Sequence, residues 1–333
     1  MEVKKDYVTT RKQFDKTKLL APAFMVVLFV IGVFQSGFTF IVNSLDASYF
    51  IGYMAIGVTF VIITAGIDLS LGTNLICAAI IGGYAYNALH LPMVWCLLIV
   101  VAVGTALGFL NGLMVAYLKL PPFIATLGMM MIGMGLGAIV TNVTTERYPT
   151  FGSPGAEFKT IFYKTTADSP LGAGIPLGAF WLFLFFIISM VLLNKTKFGR
   201  YTYAIGSNIE AARLSGIKTR PWLTAVYTFC GFCSGLAGVM YAAVYTSIIP
   251  STGNGFELLG IAGAVIGGTS LMGGLGTIPG TMIWVFIMSF LKQVLFGWGF
   301  QPHVQTFISG IVVILAVLLD QWRIKQSTRV RKV

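Results

Sequence analysis

The chain has 333 residues, 56% of them hydrophobic and 10% charged, with a formal charge of +11. Ordinary soluble domains hold about 25% charged residues, so the composition excludes a soluble globular fold. A nucleic-acid binder would gather its cations in one patch. Here they sit in short segments between apolar runs, the pattern of a multi-span membrane protein, and no nucleic-acid partner is expected.

Residues 1–18 are polar and carry Lys4, Lys5, Arg11, Lys12, Lys16 and Lys18 before an apolar run opens at Leu19. No small-x-small cleavage site follows, so the run reads as a retained first span rather than a signal peptide. A crossing needs about 20 apolar residues. By that measure spans fall near 20–41, 50–66, 71–89, 93–118, 122–143, 177–194, 222–248, 258–273, 277–296 and 304–320. The expected fold class is all-α integral membrane, with about ten transmembrane helices and broken Gly-rich segments. The expected divisions are a cytoplasmic tail at 1–18, one permease-like domain at 19–321, and a second cytoplasmic tail at 322–333.

Charge supports that layout. With the first residues inside, eighteen Lys and Arg fall in inner segments, and three, Arg147, Lys159 and Lys164, fall in outer ones. The bias predicts both termini in the cytoplasm. Segment 144–176 is then the longest outer loop, a candidate cap or docking loop.

Charges inside apolar segments are costly and need a reason. Asp68 lies in the interruption Ala65-Gly-Ile-Asp-Leu-Ser70, where a carboxylate and Ser70 can cap the helix that follows. Asp68, Ser70, Asn74, Asn111, Thr269 and Ser270 are the translocation-path candidates; the same residues can equally bond neighbouring helices. Glu257 is read as capping the outer end of a span, where a carboxylate meets the positive helix terminus. Lys292 is read as reaching to the interface. The run 253–280 is dense in glycine, which a regular helix tolerates poorly, and such backbone survives in a membrane only when buried or facing water. Cys77, Cys96, Cys230 and Cys233 lie in apolar stretches and read as packing residues. No metal site and no catalytic set is readable, and no phosphate-binding loop occurs.

The polar island 194–222 separates long apolar stretches and holds six cations. Ser207 and Glu210 have capping-box spacing. Ala211, Ala212, Arg213 and Leu214 favour a helix, Ser215 ends it, and Gly216 stands where a left-handed cap belongs. The reading is a helix over about Asn208 to Ser215. Two turns are not stable alone, so the helix is expected to dock on another protein at the cytoplasmic face.

Four stretches carry a family resemblance: AGIDLSLG at 65–72, KLPPFIATLG at 119–128, KFGRYTYAIGSNIEAARLSGI at 197–217 and FELLGIAGAVIGGTSLMGGLGTIPGT at 256–281. In that order they resemble the membrane permease subunits of bacterial ribose-type and other simple-sugar ABC importers. The resemblance implies a bacterial inner-membrane subunit, not an enzyme, paired with a second permease copy or close paralogue and surrounded by membrane lipid. It implies a cytoplasmic ABC ATPase that holds ATP and magnesium, so that this chain carries no cofactor. An extracytoplasmic sugar-binding protein would deliver the solute, and residues 207–216 would contact the ATPase. Related subunits carry nucleosides or branched-chain amino acids, which are the alternative solutes. An ion-coupled secondary transporter is the rival class, and it would need midplane ionisable residues, for which only Asp68 is a serious candidate.

Overall fold

The computed structural model describes residues 20–165 and 174–330. The proposed tail at 1–18, the centre of loop 144–176 and the last three residues lie outside them. Among the described residues the regular structure is helical except for one antiparallel pair of two-residue strands. Six helices are long and apolar enough to cross a membrane: α2 (Phe38–Ile63), α4 (Met93–Ala116), α5 (Pro122–Val140), α7 (Leu177–Lys195), α10 (Thr219–Val244) and α12 (Ile278–Gly297). The others are α1 (Leu20–Ser36), α3 (Leu71–Asn87), α6 (Glu157–Phe162), α8 (Lys197–Ser207), α9 (Ile209–Leu214), α11 (Phe256–Ile266) and α13 (Pro302–Val330).

The first two expected spans are corrected. The run 20–41 is not one helix, because α1 stops at Ser36 and α2 starts at Phe38. Between them Gly37 has φ 59 and ψ −142, a conformation open to glycine but strained for residues with a Cβ. The chain folds back so sharply that Phe40 lies against Gly32. The second span therefore begins near 38 rather than 50. Its early part reads as polar, with Asn43, Ser44, Asp46 and Ser48. Ser44 and Ser48 satisfy themselves on the carbonyls one turn back, at 2.7 and 2.9 Å, and Asp46 accepts the Tyr163 hydroxyl at 2.9 Å.

α2 is the centre of the bundle. From Tyr49 to Ile63 every residue is buried, against α7, α10, α11 and α12. A helix apolar all round belongs in such a position. The closest pairing is α4 with α10, which run antiparallel. Gly104, Gly108 and Gly112 face Gly235, Gly231 and Thr224 with nothing between the backbones. This is the small-residue contact that lipid-embedded helices use when no hydrophobic force distinguishes protein from lipid.

At one end of the bundle the loop 144–165 folds over the helices. β1 (Glu146–Arg147) pairs antiparallel with β2 (Ser247–Ile248), and the Tyr148 hydroxyl donates to the Ala79 carbonyl at 2.7 Å. Lys159 on α6 is 2% exposed. Its ammonium donates to the Ala243 carbonyl at 2.9 Å and reaches that of Ala242 at 3.5 Å, so a cation closes the negative end of α10.

Two outcomes follow from this packing. A Cβ on Gly108 would sit 2.5 Å from the Gly231 Cα and the Tyr227 carbonyl, whereas one on Gly128 meets nothing. Gly108→Leu should therefore cost about 3 kcal/mol or more by overpacking, and Gly128→Ala should be tolerated, as read by thermal melts of the detergent-extracted protein.

Burial pushes the Lys159 ammonium down to about 8, against about 10.4 in the unfolded chain. Between those values the unfolded state holds a proton that the folded state has released, so stability should climb as pH rises from about 8 to about 10. The neutral amine can still donate to the two carbonyls. Lys159→Met should flatten that rise in pH-dependent melts; an unchanged slope would assign it elsewhere.

Candidate functional site

The site begins where α2 ends. Residues 64–70 form no helix, and Thr64, Asp68 and Ser70 among them are buried, where an unmet polar group is expensive. Side chains meet them. Asp68 Oδ1 accepts the Ser70 amide at 2.9 Å and the Ser70 hydroxyl at 2.6 Å. Tyr227 reaches the Ile67 carbonyl at 3.4 Å, and Ser234 donates to the Leu71 carbonyl at 2.7 Å. The side-chain amides of Asn74 and Asn111 both donate to Ser70 Oγ at 2.8 Å, and that of Asn111 lies 3.4 Å from each Asp68 oxygen. All four of Asp68, Ser70, Asn74 and Asn111 are at most 1% exposed.

The structure thus brings four path candidates into one seat. It adds Glu257, expected at an outer helix end apart from them. Glu257 does begin α11, and its Oε1 accepts the Gly255 amide at 2.9 Å. It is nevertheless buried against Gly72 in the first turn of α3. Three acceptors, Asn74 Oδ1, Asn111 Oδ1 and Glu257 Oε2, have no partner among the described residues. Thr269 and Ser270 stand elsewhere. They lie in the loop 267–277, in which Ser270 and Leu275 share a backbone bond of 3.0 Å and Ser270 Oγ accepts the Met272 amide at 3.2 Å.

That loop forms a joint with the island. The Gly274 amide donates to the Ile63 carbonyl at 2.8 Å, Gly206 packs on that same carbonyl, and Tyr203 donates to the Gly276 carbonyl at 2.7 Å. The end of α2, the loop 267–277 and α8 therefore meet at one point, immediately before the interruption that Asp68 organises.

Past the joint comes α9. The expected cap at Ser207 is corrected. Ser207 is the last residue of α8 and packs against Gly274. Asn208, extended at φ −165, is the N-cap, and its Oδ1 accepts the Glu210 and Ala211 amides at 3.0 Å each. The Glu210 carboxylate does not reach back but pairs with Arg213 at 2.9 Å. At the other end Gly216 has φ 84, and the Gly216 and Ile217 amides close on Arg213 and Ala212 at 3.0 and 3.1 Å, the left-handed cap that a glycine permits. Ala212 is buried; Ala211 and Ser215 face outward with Leu214, which is 80% exposed.

The profile of the family described as branched-chain amino acid transport system / permease component matches residues 40–317. The chain belongs to that permease family. It is 35% identical to the ribose import permease protein RbsC of Escherichia coli (strain K12), over 94% of this chain and 97% of that one. It is 38% identical to RbsC of Bacillus subtilis (strain 168), over 81% of each, and 33% identical to the fructose import permease protein FrcC of Rhizobium meliloti, over 87% and 80%. No solved structure matches it. The permease is a multi-pass membrane protein.

Sequence reasoning missed Asp46, Lys159, Tyr227 and Ser234. Each is a polar residue in or beside an apolar run, and only the partner across the fold distinguishes it from a spare side chain. The Asp68 seat of this permease yields a graded prediction. Asp68→Asn keeps an acceptor for Ser70 and places an amide where the unpartnered Asn111 oxygen can turn to receive it, so it should cost under about 1 kcal/mol. Asp68→Leu orphans the Ser70 amide and hydroxyl and should cost about 2–4 kcal/mol. Equal losses in thermal melts would mean that the negative charge, not the acceptor, holds the interruption.

Proposed function

We propose that this chain is the permease subunit of an ATP-driven importer and forms the translocation path for a simple sugar, ribose-like pentose or hexose. The observation that carries the reading is the likeness, nearly end to end, to permeases named for ribose import, supported by a second named for fructose import. The four further apolar helices, α1, α3, α11 and α13, complete a ten-span bundle in this reading, with both termini in the cytoplasm as the Lys and Arg distribution favours. ATP and magnesium belong to a separate cytoplasmic ABC ATPase, and an extracytoplasmic binding protein delivers the sugar. A second copy or paralogue completes the path.

Residues 207–216 make the ATPase contact in this proposal. α9 is capped at both ends, so it holds its shape while leaving Ile209 and Leu214 outward, 45% and 80% exposed. Exposed apolar side chains on a polar island are what a docking groove takes. Movement of α9 would pull on Ser207 and Gly206, and so on Ile63 and Gly274 at the joint. The interruption at 64–70 would move next, and with it Asp68, Ser70, Asn74 and Asn111. A ligand drives such a change only through different affinity for two states; nucleotide on the partner supplies that difference, which suits a bundle with few buried charges.

Leu214→Asp should leave the fold intact, because the site is exposed. It should weaken retention of the ATPase about tenfold or more, measured by pull-down from membranes that express both subunits. Sugar uptake into proteoliposomes should require ATP and all subunits together. Uphill accumulation by this chain alone would overturn the proposal.

A further inference from the structure

The glycine contact between α4 and α10 has a second effect. Where two backbones touch, the larger side chains beside them stand up as walls. Phe109 and Leu113 from α4, Tyr117 at its C-terminal end, and Ala225, Phe229 and Phe232 from α10 line an open groove of about 690 Å³, within the range of small-molecule sites. Its three threonine hydroxyls already donate elsewhere, which leaves the Tyr117 hydroxyl at one end as the remaining donor. Thr105 donates to the Val101 carbonyl at 2.7 Å, Thr228 to that of Thr224 at 2.8 Å, and Thr224 to that of Gly112 at 3.3 Å. Along the rest of the groove an occupant meets methyl groups and aromatic rings. A sugar would lose its hydrogen bonds to water there without replacement, and a hydrocarbon chain would lose nothing.

The groove ends at Tyr117 and Pro221. Just beyond those residues in the chain stand Lys119, Lys218 and Arg220, all exposed. No acid occurs in 109–122 or 217–233, and the Glu210 carboxylate nearby in sequence is committed to Arg213. The free amides at the start of α10 add positive potential at the same end. An apolar trough with a cationic mouth matches a lipid with a negative headgroup. A second copy of the chain fits less well, because a two-fold contact centred here would bring the three cations against their own copies.

We propose that the α4–α10 groove binds an anionic phospholipid, with one acyl chain along the groove and the phosphate held by Lys119, Lys218 and Arg220. The site does not depend on which solute the permease carries, nor on the ATPase contact.

The test uses the full chain, purified in detergent and offered equimolar phosphatidylglycerol and phosphatidylcholine, with retained lipid counted by native mass spectrometry. The wild type should keep phosphatidylglycerol in at least about tenfold preference, and Arg220→Gln, at an exposed position that leaves folding alone, should lower it about fivefold. The triple variant K119Q/K218Q/R220Q should lose the headgroup preference. Ala225→Phe should fill the groove and displace both lipids. Equal retention of the two lipids by the wild type would overturn the proposal, as would an undiminished preference in the triple variant. A Thr228→Cys variant that forms a disulfide between copies in native membranes would place a second chain there instead.

Discussion

A helix that stops among apolar side chains leaves amides and carbonyls with no water to bond, and the arrangement around residues 64–70 follows from that constraint. The Ile63 carbonyl is met by Gly274, the Ile67 carbonyl by Tyr227, the Ser70 amide by Asp68 and the Leu71 carbonyl by Ser234. These partners come from α10, the loop after α11 and the interruption itself. The interruption is therefore stable only in the assembled bundle, and the elements that supply its partners cannot shift without exchanging those bonds. Asp68 is central because one of its oxygens accepts both the amide and the hydroxyl of Ser70, which an apolar residue of similar size cannot do.

Stiffness and articulation are divided between two parts of the molecule. α10 runs unbroken for 26 residues, about 39 Å at 1.5 Å per residue, and its glycines lock it to α4 over most of that length. The α2–α3 and α11–α12 connections are the reverse: short non-helical stretches that touch where Gly273 packs on Ala65 and Gly274 donates to the Ile63 carbonyl. Exposed charge pairs add little to either part. The Glu210–Arg213 pair is open to solvent on both sides and contributes about 0–1 kcal/mol, so the shape of α9 rests on Asn208 and Gly216.

Much of this was legible in the sequence because apolar length is a direct consequence of the bilayer. The helices at α4, α5, α7 and α12 lie within a few residues of the spans read from hydropathy. The seat was half legible: an acid beside glycine and serine inside apolar sequence marks an interruption, and Asp68 with Ser70 satisfies that pattern. Its other members were legible only as polar residues in spans, since nothing local places Asn111 or Glu257 near Asp68. Gly37 was hidden because a single residue of unusual ψ does not alter hydropathy. The Ser207 spacing misled because Asn208 is an equally good cap, and the choice depended on whether α8 extended through Ser207. α8 extends because Gly206 and Ser207 pack against Ile63 and Gly274, a contact some 140 residues distant in the first case.

The same division explains why the two ends of α10 are treated differently. At its start the chain leaves a tight left-handed turn at Gly216 and the amides remain open, with Lys218 and Arg220 exposed beside them. At its finish the carbonyls are shut by the buried Lys159 and by the β1–β2 pairing just beyond. A rod whose far end is closed by a desolvated cation moves with the cap that carries that cation, because separating them would bare both the ammonium and the carbonyls in apolar surroundings. The cap over one end of the bundle and the island at the other are thus joined through a single helix, while the seat at Asp68 hangs from that helix by Tyr227 and Ser234. Any displacement of α9 large enough to shift the start of α10 must be felt at both places.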